Sequence, residues 1–231
     1  MHYFKFYPDE DFKIAEVVKC QLFAARIEIL EKEDSNEGKI LLDSPVLHSH
    51  QEEVMDQCYR RAISCFFRSG SNRIISEEEY MWDKYANHHK GFCVEYNENV
   101  LNGLNPLTEK TRVDKLYNVY YDVEYGPNIM YADRIDTAHD MINTIGHKLN
   151  IYERERETRL IFRFPPQDAE MKVFNKQKEL VGEHIIISVN AVDSVYLGKY
   201  ASLDTYLPII QFCGKNNIPC YKLEQSITRI A

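Results

Sequence analysis

Runs of alternating residues, with apolar or aromatic side chains at every second position, recur along the chain without the long helix between each pair that a parallel sheet requires. They include "HYFKFY" (2–7), "GFCVEY" (91–96) and "ETRLIFRF" (157–164), while "RVDKLYNVYYDVEY" (112–125) is a further β region rich in Tyr and Val. Period-two patterning presents one face of a strand to a core. "HIIISV" (184–189), "SVYLGKY" (194–200) and "PCYKLEQ" (219–225) read as shorter strands. Strands outnumber helices and do not alternate as βαβ units, so the expected class is α+β, with a mixed or mainly antiparallel sheet flanked by helices.

Helical spacing fills the gaps between these runs. "FKIAEVVKCQLFAARIEILEK" (12–32) reads as a helix followed by a strand, and "HQEEVMDQCYRRA" (50–62) as a helix leading into the β run "ISCFF". A helix is expected from Ser76, with Ser76 as cap, Glu79 completing a capping box and Met81, Trp82, Tyr85 and Ala86 as the apolar stripe. A further amphipathic helix is expected from Asp133, and "LDTYLPIIQFCGKNN" (203–217) reads as a helix stopped by glycine.

The 231 residues contain no Gly/Ser-rich or Pro-rich linker, so one domain over 1–231 is expected. A net charge of −8 argues against broad attraction to nucleic acid or to an anionic membrane. No apolar run approaches the ~20 residues that span a bilayer, and "MHYFKFYPDED" lacks the pattern of a signal peptide, so a cytoplasmic location is expected. The six cysteines are scattered without a C-x-x-C pair and read as reduced core thiols. His48 and His50 lack further ligands at matching spacing, so no metal is expected. Walker, G-x-G-x-x-G, G-x-S-x-G and H-E-x-x-H motifs are absent.

Two constellations carry chemistry. In "NHHKG", His88, His89 and Lys90 stand beside Gly91, where a missing side chain lets a ligand or another backbone come close. Such groups hold a phosphate or carboxylate, or else form a solvated helix end favoured by the dipole. In "YERERETRLIFRF", period two puts Glu155, Glu157, Arg159 and Arg163 on the face opposite Leu160, Phe162 and Phe164. That charged face either binds a sugar hydroxyl and stabilises a developing cation in glycosyl transfer, or is a salt-bridged surface.

With these elements in order, "YFKFY", then "ISCFF…MWDKYANHHKGFCVEYN", then "K…YERERETRLI" leading to "SVYLGKYAS", the chain resembles a bacterial family catalogued as domain of unknown function 2971. That family carries a Met-Trp or Leu-Trp helix running through Tyr-Ala and His-Lys-Gly into a strand, and a Trp before an E-x-E-x-R strand. Here Tyr152 takes the place of that Trp, followed by Glu155, Glu157 and Arg159. The chain departs from the pattern at Lys5, Phe6 and Tyr7, where the family has Lys-Tyr-Arg, and it lacks the family's Asn-Asp-Pro-Phe stretch.

The resemblance raises both constellations to candidates for one shared site. Lys5, Trp82, Tyr85, His88, His89, Lys90 and Gly91 would bind a nucleotide-like ligand or a protein partner. Glu157, Glu155 and Arg159 would carry the chemistry. The E-x-E strand resembles the glutamate element of ADP-ribosyltransferases, which implies an NAD-using transferase acting as a toxin or antiphage effector. A non-enzymatic sensor or interaction module of a defence system, and a nuclease-like effector, are the alternatives.

Overall fold

The structure, a computed structural model, describes residues 2–33, 40–42, 48–70, 78–97, 112–118, 120–122, 128–130, 145–163, 172–224 and 227–230. Ser76 and nearly all of the amphipathic pattern from Asp133 lie outside these residues.

In chain order the first elements are β1 (His2–Tyr7), α1 (Asp11–Val18), β2 (Gln21–Arg26), α2 (Ile27–Glu33), β3 (Ile40–Leu42) and α3 (His48–Tyr59). Next come β4 (Arg61–Ser69), α4 (Glu79–Tyr85), β5 (Phe92–Tyr96), β6 (Arg112–Asn118), β7 (Tyr120–Asp122), β8 (Asn128–Met130) and β9 (His147–Leu149). A 3-10 turn, Asn150–Glu155, leads into β10 (Glu157–Arg163), followed by β11 (Lys172–Phe174), β12 (Leu180–Ile186) and β13 (Val192–Leu197). The last elements are α5 (Leu207–Asn216), β14 (Cys220–Leu223) and β15 (Ile227–Arg229). The class is α+β with mainly antiparallel strands, as the alternation predicts.

The chain divides into two compact units, each assembled from separated segments. The first comprises Met1–Leu22, Phe66–Leu104 and Ile185–Ala231, and the second Phe23–Cys65 and Asn105–His184.

In the first unit β1 lies between β4 and β5, and the order continues through β13, β14 and β15. All these pairs are antiparallel except β13 with β14. β5 is buried at every position. The expected stripe of α4 is borne out: Met81, Trp82 and Ala86 join Phe4, Phe6 and Cys93 in one apolar cluster, with Tyr85 partly buried against it. Trp82 meets Phe6 edge-on, with ring centroids 5.1 Å apart. On the other sheet face Tyr7 stacks on Phe92 at 4.9 Å, and Tyr206 meets Phe92 from the start of α5.

Two helix boundaries differ from the sequence reading. α4 begins at Glu79, whose carboxylate is drawn into tertiary contacts instead of a capping box. α5 runs through Gly214 and stops at Asn217, the left-handed residue at φ 55°. Asparagine tolerates that conformation because its short polar side chain bonds locally.

In the second unit β2 pairs with β4, β6 with β10 and β11 with β12, all antiparallel. The short pairs β3 with β8 and β7 with β9 are parallel. The split of 12–32 into helix and strand is borne out, but the chain turns helical again at Ile27. This second helix buries Ile27 with Val54 and Cys58 of α3, and with Ile63, Ile145 and Ile161. Leu30, Lys32 and the three glutamates of "IEILEKE" favour helix, and burial of that apolar group stabilises a segment too short to hold by itself. No helix of the described residues is long and apolar enough to cross a membrane.

Two glycines test the packing in opposite senses. A Cβ at Gly91 would lie 2.1 Å from the Tyr7 carbonyl oxygen and 2.9 Å from that of Ala86, both backbone atoms that cannot swing away. Gly214 has nothing within 4 Å and sits inside a helix. Gly91→Ala is expected to cost about 1–3 kcal/mol or more through overpacking, whereas Gly214→Ala is expected to add up to ~1 kcal/mol. Urea unfolding monitored by Trp82 fluorescence measures both, and the two midpoints should move apart.

Candidate functional site

The turn that ends α4 is built from unusual backbone. Asn87, His88 and His89 take φ of 45°, 51° and 64° in succession, a left-handed conformation costing roughly 1–2 kcal/mol per residue for a side chain with a Cβ. It persists because neighbours hold it from several directions. Gly91 N–H donates to the Ala86 carbonyl at 2.8 Å, Gly198 N–H to that of Gly91 at 2.9 Å, and Tyr200 N–H to that of His89 at 3.0 Å. The Tyr206 hydroxyl donates to the Lys90 carbonyl at 2.8 Å. A Cβ at Gly198 would approach the His89 carbonyl oxygen to 2.2 Å, so glycine is required on both sides of the contact.

This backbone turns the two histidines in different directions. His88 is 76% exposed and faces Asp83 at 3.3 Å. His89 is buried and stacks on Trp82, with centroids 4.9 Å apart and planes 12° from parallel. Its Nε2 donates to Glu79 Oε2 at 2.6 Å, while Nδ1 is buried with no hydrogen-bond partner among the described residues. Lys199 donates to the other Glu79 oxygen. The bond from Lys199, then that from His89, holds the Glu79 carboxyl below its usual range against a small opposing effect of burial. Beyond this stack Tyr200 is 72% exposed, its ring edge-on to His89 at 6.3 Å.

A buried lysine shapes the segment carrying Lys199 and Tyr200. Lys222 Nζ donates to the carbonyls of Gly198 at 2.6 Å, Lys199 at 3.1 Å and Ala201 at 2.6 Å. Burial shifts its pKa down.

The expected ligand-binding residues therefore separate by role. His88 and Lys90 are exposed and Tyr85 is half-buried, while Trp82, His89 and Gly91 lie beneath the surface and shape the turn instead of lining it. Lys5 is not brought to the turn. Its Nζ lies 5.5 Å from the Phe66 ring centroid, on the sheet face opposite Phe6 and Trp82. Glu79 reads from sequence only as a capping residue, and Lys199, Tyr200 and Lys222 only as strand positions. A lysine or tyrosine in a turn has no periodic signature that would mark it as part of a site.

In the second unit the charged strand is arranged differently from the expected outer face. Glu157 and Arg159 do share a face of β10, but both are buried, as are Thr158, Leu160 and Phe162 on the other face. Glu155 lies outside the strand, ending the 3-10 turn, and Arg156 follows with φ 39°. Lys148, from β9, donates to Glu155 Oε2 and to Glu157 Oε2, each at 2.7 Å. Arg159 Nε donates to Glu157 Oε1 at 2.6 Å, and its Nη1 to the Ile145 carbonyl at 2.5 Å. Lys148 also lies 5.1 Å from the centroid of Tyr152, a cation–π distance.

Two cations and two carboxylates thus neutralise one another out of water. For Glu157, burial alone would raise the carboxyl pKa, but Arg159, Lys148 and the Cys65 thiol together hold it far below the usual range. The burial of β10 on both faces corrects the expectation of a solvated charged side. Lys148 is the partner that makes it possible, because a buried charge without one costs several kcal/mol.

The turn belongs to the first unit and Glu155, Glu157 and Arg159 to the second. Each group draws the partners described above from its own unit.

A model of the family described as protein of unknown function (DUF2971) matches residues 81–184, from α4 through the turn and β5 to the charged strand and beyond. The match bears out the resemblance at both constellations and ends before Lys199, Tyr200 and Lys222. No curated protein and no solved structure matches the chain.

The network around Glu157 has a pH signature. A carboxyl with a lowered folded pKa stabilises the fold fully above its unfolded value of about 4.3 and loses that contribution as pH falls toward the folded value. Glu157→Gln strands Lys148 and Arg159, so a loss of about 3–5 kcal/mol at neutral pH is expected. The deficit should shrink between about pH 5 and pH 2 as wild type loses its own advantage. Denaturant melts of both proteins across that range measure it, and parallel curves would contradict the assignment.

Proposed function

We propose that the chain is a recognition module for a small phosphorylated, nucleotide-like ligand, received at the turn that follows α4. The observation that carries this reading is the rigid mounting of polar groups: exposed His88 and Lys90 on the left-handed turn, with half-buried Lys199 and exposed Tyr200 on the segment bonded to it. A backbone that bears conformational strain and is overdetermined by its surroundings is characteristic of a pre-organised site. Ammonium groups supply charge-assisted bonds to phosphate, and a largely exposed tyrosine ring offers a face for an aromatic base. Lys199 is already paired with a half-exposed Glu79, so an incoming phosphate exchanges one anionic partner for another and leaves no cation buried alone.

An NAD-using transferase similar to ADP-ribosyltransferases is the second reading, favoured by one observation. Glu157 is kept ionised, the state in which a carboxylate stabilises an oxocarbenium-like centre. Both of its oxygens are engaged by Arg159 and Lys148, so such chemistry requires the Lys148 contact to open.

Thermal-shift and calorimetric titrations with ADP, ADP-ribose and NAD discriminate the readings. Binding without product by mass spectrometry is the expected result. Lys90→Ala and Tyr200→Ala should each weaken it about tenfold, or ~1.4 kcal/mol. Absence of binding, or equal affinity in the variants, refutes the recognition site. Turnover of a fluorescent NAD analogue that disappears in Glu157→Gln selects the transferase instead.

A further inference from the structure

A second polar cluster lies in the first unit, toward the other end of β5 from the turn. Glu95 is buried on the central strand, opposite Phe4 of β1 and Ser194 of β13. One carboxylate oxygen accepts from the Ser194 hydroxyl at 2.5 Å and from the Tyr196 hydroxyl at 3.0 Å. The other faces His2 Nδ1 at 2.5 Å. Ser194 and Tyr196 are buried, whereas the His2 side chain is 37% exposed and its ring stacks on Phe4 with planes 15° apart. No other hydrogen bond or ion pair of His2 occurs among the described residues.

A carboxylate inside a sheet is expensive to desolvate, and an apolar residue would pack there with less penalty. The two hydroxyls satisfy one of its oxygens, leaving the other to orient an imidazole at the protein surface. This is the arrangement in which a carboxylate fixes a histidine tautomer and presents the remaining nitrogen. Burial raises the Tyr196 phenol well above its usual value, so it stays a neutral donor to Glu95.

We infer that His2 and Glu95 form a proton-accepting dyad, in which Nε2 of His2 receives the proton of a ligand hydroxyl and Glu95 acts as the positioning residue. The hydroxyl O–H bond breaks with its electron pair left on oxygen, and an N–H bond forms at Nε2. The resulting imidazolium is balanced by the Glu95 carboxylate, which itself takes up no proton. The dyad stands independently of ligand binding at residues 87–91.

Two measurements on the full chain test the dyad. Long-range 15N–1H correlation spectra at neutral pH are expected to place the His2 proton on Nδ1. A proton on Nε2 overturns the proposal, and this result needs no variant. Diethyl pyrocarbonate is the chemical probe. An unprotonated imidazole nitrogen attacks its carbonyl, forming a carbethoxy–nitrogen bond and expelling monoethyl carbonate, which decays to ethanol and carbon dioxide. Peptide mass mapping should show His2 labelled in wild type, and severalfold more slowly in Glu95→Gln, while His88 reacts equally in both. An unlabelled His2, or equal rates at His2 in both proteins, overturns the dyad. A Glu95 that merely supports packing would leave the tautomer and the labelling ratio unchanged.

Discussion

Close backbone contact at Gly91 and Gly198 is the constraint on which the first unit's polar architecture depends. Neither position has room for a Cβ, so the end of β1, the exit of α4 and the segment after β13 can touch directly. That contact orients the carbonyls of residues 89–91 toward the donors of Gly198, Tyr200 and Tyr206. Those bonds compensate three left-handed residues in a row. The turn in turn inserts His89 between Trp82 and Glu79, and leaves His88 and Lys90 outside. Lys222 acts from beneath by gathering the carbonyls of Gly198, Lys199 and Ala201.

Charge is treated differently at the three polar clusters. Around Glu79 the carboxylate is half exposed, and its two cationic or imidazole partners screen it at modest cost. Around Glu157 three buried charges and a part-buried Lys148 are held together, each cation balancing a carboxylate, so removing one partner strands another. At Glu95 neutral hydroxyls do most of the solvating, so the histidine remains available for other work. Burial therefore does not predict function by itself. The relevant question is whether a buried acid has an unused neighbour at the surface.

The placement of the polar groups also bears on how a ligand would meet the fold. In the first unit the turn and the Glu95 cluster lie toward opposite ends of β5, joined by an aromatic layer of Phe4, Phe6, Trp82 and Tyr196. Such a layer resists deformation because its rings are in close edge and face contact. Each polar end is consequently presented on a rigid support, which lowers the conformational cost of binding.

Sequence alone determined the local elements whose periodicity is unambiguous: the strand "HYFKFY", the Met81–Trp82 stripe, the strand after Gly91 and the pairing of Glu157 with Arg159 on one side of β10. It also made Gly91 a point of close approach, since glycine before a buried strand signals a missing Cβ. Period two specifies which residues share a face, but both faces of a central strand can be covered, so it could not tell that the Glu157 side is sealed. The Lys199–Glu79 and His2–Glu95 contacts join segments distant in sequence, Lys222 reaches back to the turn after β13, and Lys148 meets Glu157 across a change of element nine residues away. Only tertiary structure decided those, because the Coulombic and hydrogen-bond energies that join such groups depend on separation in space, and sequence spacing carries no record of it.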